Sequence, residues 1–486
     1  MPHVTRRPER FEPDDRRVIM RYLNFVDPKR VGEVIRRVMA IPDDQLPALL
    51  DGVMADFGSR HRDVPVIFLD HYERAAKAVP ACRDRLPESM KLLIGAYFTN
   101  EYSIEAAALF NPSIVAAPDQ TGLPPGHLRF IMSLRATGEG HVSSIVLHHG
   151  VLTAAGDILF DSPPRYAYAA PAIADRYLRK RKFVRRLLES GVVLKDVRCI
   201  ITALPNVFTL AHLEQIVADV QQSRATTAAF RQAAADMLWR ARANYRLYFP
   251  VDCPVGEAVI FPATESESHG MEDLRLVRFV DDDGRAEYYG TYTAFDGMRT
   301  VPMLLGSDDF RSFEISTLGG RYARDKGMAL FPRKIAGHYM MISRHDRERL
   351  YLLRSDDLLV WDRAQPLLSP TEPWELVQMG NCGSPVETEA GWILLTHAVG
   401  PVRRYCIGAA LLDRDDPGRV IGRLRLPLLE PTDDEREGYV PNVLYSCGSI
   451  IHQGQLLIPY AMADSRTAFA TVAVDELVDC LLRAGP

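Results

Sequence analysis

The chain has 486 residues, of which 47% are hydrophobic and 25% charged, and a formal net charge of -5. It is too long for a small module, its composition is that of an ordinary globular protein, and its acidic balance gives no electrostatic reason to expect nucleic acid. Seven scattered cysteines without CxxC spacing exclude a zinc ribbon and a disulfide framework, so Cys82, Cys199, Cys253, Cys382, Cys406, Cys447 and Cys480 read as reduced, small hydrophobes.

The first ten residues, Met1 to Arg10, are charged and lead into no apolar run, and no stretch of about 18 apolar residues follows anywhere. A cytoplasmic protein with no membrane partner is the expectation. Residues 1–108 read as a helical region. Val31, Val34, Ile35 and Val38 recur at helical spacing, the pattern repeats over 43–54 and 86–98, and Val64 to Leu69 reads as a short apolar connector. At Phe110-Asn111-Pro112 the texture changes. Residues 128–133 and 142–148 read as strands around a polar turn at 134–141, whose Gly-x-Gly is too short for a nucleotide loop.

Helical patterning returns over 166–190, where Arg176, Arg179, Lys180, Arg181, Lys182, Arg185 and Arg186 lie among apolar residues, and it continues over 210–248. Such a basic amphipathic stretch can serve nucleic acid or membrane, but the negative total charge favours a solvated face. With strand-rich sequence on both sides, 162–248 reads as a helical insertion between 109–161 and 249–486. From Asp252 onward short strands and turns recur, a grammar that favours a propeller or a large sandwich. A polar residue leads into each hairpin, as at Asp273, Lys334, Glu387 with His397, and Asn442 with Asp464. In a propeller those polar ends converge on one axial cleft.

The most informative stretch is Gly270-Met271-Glu272-Asp273-Leu274-Arg275, which opens a run rich in β-branched and aromatic residues. With Tyr288 to Gly297 and the intervening Asp281-Asp282-Asp283-Gly284 turn, it makes a β-hairpin. A carboxylate pair beside an arginine is costly inside a strand unless paired, whereas at a strand start lining a cleft the charges hold one another in place. The plain alternative is a surface hairpin with a structural ion pair.

Together with Tyr292-Thr293-Ala294, Leu330-Phe331-Pro332-Arg333-Lys334, Gly383-Ser384-Pro385-Val386-Glu387, Gly391-Trp392, Leu411-Leu412-Asp413 and Tyr460-Ala461-Met462-Ala463-Asp464, this stretch resembles glycoside hydrolase family 130, the β-mannoside phosphorylases and related mannosidases. The ordered motifs span about 110–160 and 250–475. Leu274 stands where many members carry proline, and Ala398 follows His397 where glycine is common. The resemblance implies an all-β five-bladed β-propeller, to which the N-terminal helical region and the helical insertion are additions.

It also implies a chemistry: inverting phosphorolysis of a β-mannoside to mannose 1-phosphate and a shortened acceptor sugar, with inorganic phosphate as co-substrate and neither cofactor nor metal. Asp273 matches the proton donor, acting through a sugar hydroxyl on the glycosidic oxygen. Lys334 and His397 match phosphate-contacting positions, Arg135 matches an arginine near sugar and phosphate, and Arg344 is a further phosphate candidate. Glu272, Arg275, Tyr292, Asn381, Glu387 and Asp464 are candidate sugar contacts, each also readable as a structural partner. The alternatives are a β-mannosidase that uses water, which would need a second carboxylate, and a non-catalytic carbohydrate-binding propeller. The expected partners are a β-mannoside oligosaccharide and phosphate, with a homo-oligomer compatible with the amphipathic additions.

Overall fold

Antiparallel meanders follow one another along the chain in the computed structural model, which describes residues 1–25, 27–77, 86–174, 177–189, 192–223 and 225–486. Cys82, Arg176 and Ser190, which entered the sequence reading, lie outside the described residues. The chain forms two compact units, one made of Met1–Pro13, Ala107–Ser162 and Ala170–Pro486, the other of Asp14–Ala106 and Pro163–Ala169.

Among the described residues the larger unit holds five antiparallel sheets of four or more strands. The first is built on Ala108–Ala116, Leu128–Thr137 and Ser143–Leu152, the second on Met271–Val280, Ala286–Phe295, Thr300–Ser307 and Ser312–Thr317. The third comprises Ala329–Leu330, Tyr339–Ser343, Leu350–Ser355 and Arg363–Leu368. The fourth comprises Gln378–Asn381, Gly391–Val399, Tyr405–Leu412 and Val420–Arg423. The fifth runs Leu444–Tyr445, Gln455–Met462 and Arg466–Ala473, and its outer place is taken by Val4–Phe11. Sequential four-stranded meanders of this kind, the last completed by a strand from the other end of the chain, form a propeller-like β fold. Aliphatic side chains from the fourth and fifth sheets, among them Ile393, Ile407, Leu411, Leu456 and Ile458, share one core with Leu477 and Leu481 of the helix Val474–Ala484.

Helices Lys180–Glu189, Arg198–Ala203, Leu210–Ser223 and Ala228–Arg242 of the insertion enclose a core of their own around Leu187, Ile200, Phe208, Leu213 and Met237. The expected helix over 210–248 ends early. Tyr245–Tyr248 is a strand, paired with Ser312–Thr317 on the edge of the second sheet. Over 179–186 the predicted basic face is solvated and ion-paired in part, with Arg185 3.1 Å from Asp362 and Lys182 3.6 Å from Asp357.

In the smaller unit, helices Pro28–Met39, Leu46–Phe57, Val64–Ala76 and Glu88–Tyr97 pack around Ile35, Tyr72, Leu93, Ile94 and Phe98, beside the antiparallel pair Val18–Tyr22 and Thr99–Ser103. Two expectations for residues 1–108 are corrected here. Val64 to Leu69 is helix, because Pro65 sits in the first turn, where its missing N–H costs nothing. Val4–Phe11 is strand, because its alternating residues lie against Arg466–Ala473. Among the described residues no helix is long and apolar enough to cross a membrane.

Candidate active site

The first strand of each sheet, or the residue leading into it, contributes to one hydrogen-bonded chain. Asn111 of the first sheet donates to Asp273 Oδ1 of the second at 2.6 Å. Arg275, two residues on, donates from Nη1 to the Asp273 carbonyl at 2.9 Å, from Nε to Asn381 Oδ1 of the fourth sheet at 3.1 Å, and from Nη2 to the Tyr445 hydroxyl of the fifth at 2.7 Å. The Asn381 amide in turn donates to the carbonyl of Gly327, just before the third sheet. Arg275 is 1% exposed, and this full set of acceptors is what makes its burial tolerable.

Local backbone geometry aims the carboxylates. The register between Met271–Val280 and its partner shifts between Glu272 and Arg275, and a matching shift lies between Phe110 and Ser113 in the first sheet. Asn111 and Asp273 sit at these bulges with φ of 51° and 58°, and Asp464 has φ of 50°. Left-handed backbone at three polar, non-glycine residues is strain that clusters at functional sites. Gly270 permits the approach: a Cβ there would lie 2.4 Å from Ser143 Oγ.

Around Asp273 the charges alternate. Arg135 reaches Asp273 Oδ1 at 3.3 Å and Glu272 Oε1 at 3.1 Å, and the other Glu272 oxygen pairs with Lys326. Burial pushes the Asp273 carboxyl up, but the charges of Arg135, Arg275 and Lys326 and the Asn111 hydrogen bond outweigh it and hold the group below its ordinary value. Asp464 shows the opposite balance. Burial, then the Asp273 charge, pushes its carboxyl up to about 6 against the pull of Arg135 and Arg403.

His397 is 1% exposed, its ring 4.5 Å from that of Tyr445. Burial, then the Arg344 and Arg275 charges, pushes it well below the usual histidine value, so the ring is neutral at pH 7. Nδ1 lies 3.1 Å from the Asn381 carbonyl, which can only accept, so Nε2 carries the free lone pair. Nε2 is buried without a hydrogen-bond partner, as are Arg344 Nε, Arg135 Nε and Asn111 Oδ1. Partnerless polar atoms gathered at one place suit a polar ligand.

The site thus brings together Asp273, Glu272, Arg135, Arg275, Asn381, His397, Arg344 and Asp464 from the sequence prediction. Three predicted residues stand elsewhere. The Lys334 ammonium pairs with Asp281 at 2.6 Å and Asp282 at 3.4 Å, at the turn end of the hairpin, roughly 25 Å from Asp273 at about 3.3 Å per strand residue. Glu387 is held by Arg333 at 2.6 Å and Arg414 at 3.2 Å. The Tyr292 hydroxyl donates to Glu267 at 2.6 Å, where Tyr245 also binds, so it braces the turn that leads into Gly270. Conversely, Asn111, Lys326 and Tyr445 belong to the site although sequence reasoning passed them by. Asn111 lay in the Phe-Asn-Pro step where the texture changed, which was a usable signal.

A family model described as beta-1,4-mannooligosaccharide phosphorylase, glycoside hydrolase family 130, matches residues 254–483. A 1,2-beta-oligomannan phosphorylase of Thermoanaerobacter sp. is 35% identical over 225 residues, 44% of this chain and 72% of that protein. A beta-1,2-mannobiose phosphorylase of Listeria innocua is 29% identical over 228 residues, 45% of this chain and 62% of that protein. A beta-1,4-mannooligosaccharide phosphorylase of Ruminococcus albus is 33% identical over 164 residues, 31% of this chain and 48% of that protein. The solved complex of the Listeria innocua enzyme with beta-1,2-mannobiose superposes with a TM-score of 0.45 and 21% identity, over 78% of this chain and 93% of that one.

Proposed function

The chain belongs to glycoside hydrolase family 130, and from that membership and the site's geometry we propose that it phosphorolyses β-mannosides with inversion, giving mannose 1-phosphate and a shortened acceptor sugar. One observation supports this most: the reacting carboxylate, Asp273, stands among the cations Arg135, Arg275 and Lys326. Phosphate is already an anionic nucleophile and needs fixed donors to hold it in line with the anomeric carbon. Arg135, Lys326 and Arg344 supply them, with His397 Nε2 accepting from a phosphate or sugar hydroxyl. Inorganic phosphate is the co-substrate in this reading, the five sheets are the five blades of a propeller, and the helical regions at 14–106 and 170–248 carry no reacting group.

In the reaction the anomeric carbon forms a bond to a phosphate oxygen as its bond to the glycosidic oxygen breaks. That oxygen takes a proton that Asp273 supplies through a sugar hydroxyl. Without phosphate the surrounding cations keep Asp273 ionised. Phosphate bound to Arg135 and Lys326 offsets their charge, which raises the Asp273 carboxyl towards the protonated state that an acid catalyst requires. Proton uptake and phosphate binding are thereby coupled.

A second reading, hydrolysis, draws on the contrast between Asp273, held low, and Asp464, raised to about 6, since carboxyls with separated values can divide acid and base roles. The experiment is to incubate the protein with β-1,2- and β-1,4-mannobiose with and without inorganic phosphate. Mannose 1-phosphate formed only with phosphate is the expected result. Free mannose released at the same rate without phosphate would overturn phosphorolysis in favour of the hydrolase, and binding without turnover would identify a carbohydrate-binding module.

A further inference from the structure

The helical insertion and the rims of the second and third sheets line a separate cleft of about 590 Å³. Among the described residues its walls carry Arg186, Arg240, Arg299, Arg324 and Arg347 and a single carboxylate, Asp325. Two carboxylates offset part of this charge: Asp325 lies 3.4 Å from Arg347, and Asp236 lies 3.6 Å from Arg299. Among the described residues Arg240 stands in no ion pair, although the Asp236 charge acts on it. Its Nε is buried without a hydrogen-bond partner, and its guanidinium packs 5.7 Å from the Trp239 ring, which Arg299 approaches at 5.9 Å. Burial pulls Arg240 below its ordinary value, opposed by Asp236 and reinforced by the Arg299 charge.

A half-buried guanidinium facing other arginines is costly, and an anion between them would offset that cost. The planar fork of a guanidinium matches the oxygens of a phosphate in particular. The cleft is far larger than a bare phosphate, whose excess volume would stay filled with water. Thr300 and Thr317 line the rest and offer polar groups to hydroxyls, with Trp239 and Met298 as apolar surface, while the Asn244 amide is already bonded to Thr317 N–H and the Arg240 carbonyl. We propose that this cleft binds a phosphomonoester of a sugar, with the phosphate held by Arg240 and Arg299 and the sugar body lying along the polar wall towards Thr300 and Thr317. The inference does not depend on the reaction assigned to the Asp273 site.

The test is isothermal titration of the full chain with mannose 6-phosphate, compared with inorganic phosphate and with mannose. Arg240→Met and Arg299→Met are the variants. Arg299 is more than half exposed, so its variant keeps the test open if the buried change disturbs folding, and melting temperatures report whether each has folded. The expected result is saturable binding of mannose 6-phosphate, tighter than that of phosphate or mannose. Each variant should weaken it about tenfold or more, the scale of one charge-assisted hydrogen bond, while leaving β-mannoside turnover unchanged. Unaltered affinity in both folded variants would overturn the proposal. So would binding lost only on Lys326→Met, which would place the ligand in the Asp273 site, or a response to polyphosphate or RNA alone.

Discussion

Asn111 and Asp273 come from different sheets, both in left-handed backbone, and meet through a hydrogen bond of 2.6 Å from the Asn111 amide to Asp273 Oδ1. That bond stabilises the ionised carboxylate, so its removal should raise the Asp273 value. Asn111→Ala should move the alkaline limb of the pH profile to higher pH, since the proton donor then stays protonated further up the scale, and lower kcat about tenfold through lost positioning of the carboxyl, while a folded protein retains its mannoside KM. An unshifted limb would show that Asn111 only fills space.

Asp273→Asn keeps the shape and hydrogen-bonding capacity of the side chain but cannot deliver a proton. Turnover should fall by about two orders of magnitude or more, the scale of general acid catalysis, with sugar binding by calorimetry retained. Near wild-type turnover in the folded variant would transfer the proton-donor role elsewhere, with Asp464 the next candidate.

Lys326 and Lys334 offer a direct comparison, since one pairs with Glu272 and the other with Asp281 and Asp282. Lys326→Met should raise the phosphate KM about tenfold or more at saturating mannoside, whereas Lys334→Met should leave it within about twofold. The reverse pattern would restore Lys334 as the phosphate ligand.

Asp464 makes stability depend on pH in a defined direction. Its folded value, about 6, lies above the ordinary 3.8, so its contribution to stability is fully present below about pH 4 and is lost as pH rises through 6. Asp464→Asn cannot ionise. It should match the wild type at pH 4 and be more stable at pH 7.5 by about 1–3 kcal/mol, read by chemical denaturation at both pH values. Equal stability at pH 7.5 would mean that Arg135 and Arg403 fully compensate the charge.

The Glu-Asp-x-Arg hairpin was legible because both of its strands are rich in β-branched and aromatic residues and the Asp281-to-Gly284 turn punctuates them. His397 and Asn381 were reached through motifs that lie on regular strands. Lys326 was not, because it precedes a strand of only two residues, Ala329–Leu330, in a stretch whose shape is fixed by contacts such as the Asn381 amide on the Gly327 carbonyl. Lys334 shows the converse difficulty: a sequence match identifies a position, but the side chain's direction is set by the acidic turn beside it. Val4–Phe11 escaped because Arg6, Arg7, Glu9 and Arg10 look like a solvated tail until their partner strand is known. Arg6 bonds to Glu435 at 2.9 Å, a residue more than 400 positions away.

The pairing of Val4 with Val472 and of Phe11 with Thr467 imposes an order on biosynthesis. The strand that leaves the ribosome early must wait, unpaired, until the strands that flank it have been translated. Its charges suit that interval, since an apolar ribbon with open N–H and C=O groups would recruit other nascent chains. Closing so long a loop adds little entropy beyond that of a shorter one, but contacts of such separation form slowly. The last sheet therefore acts as a seam that is sewn after translation, and a chain interrupted before residue 466 would carry a raw edge on the fifth sheet.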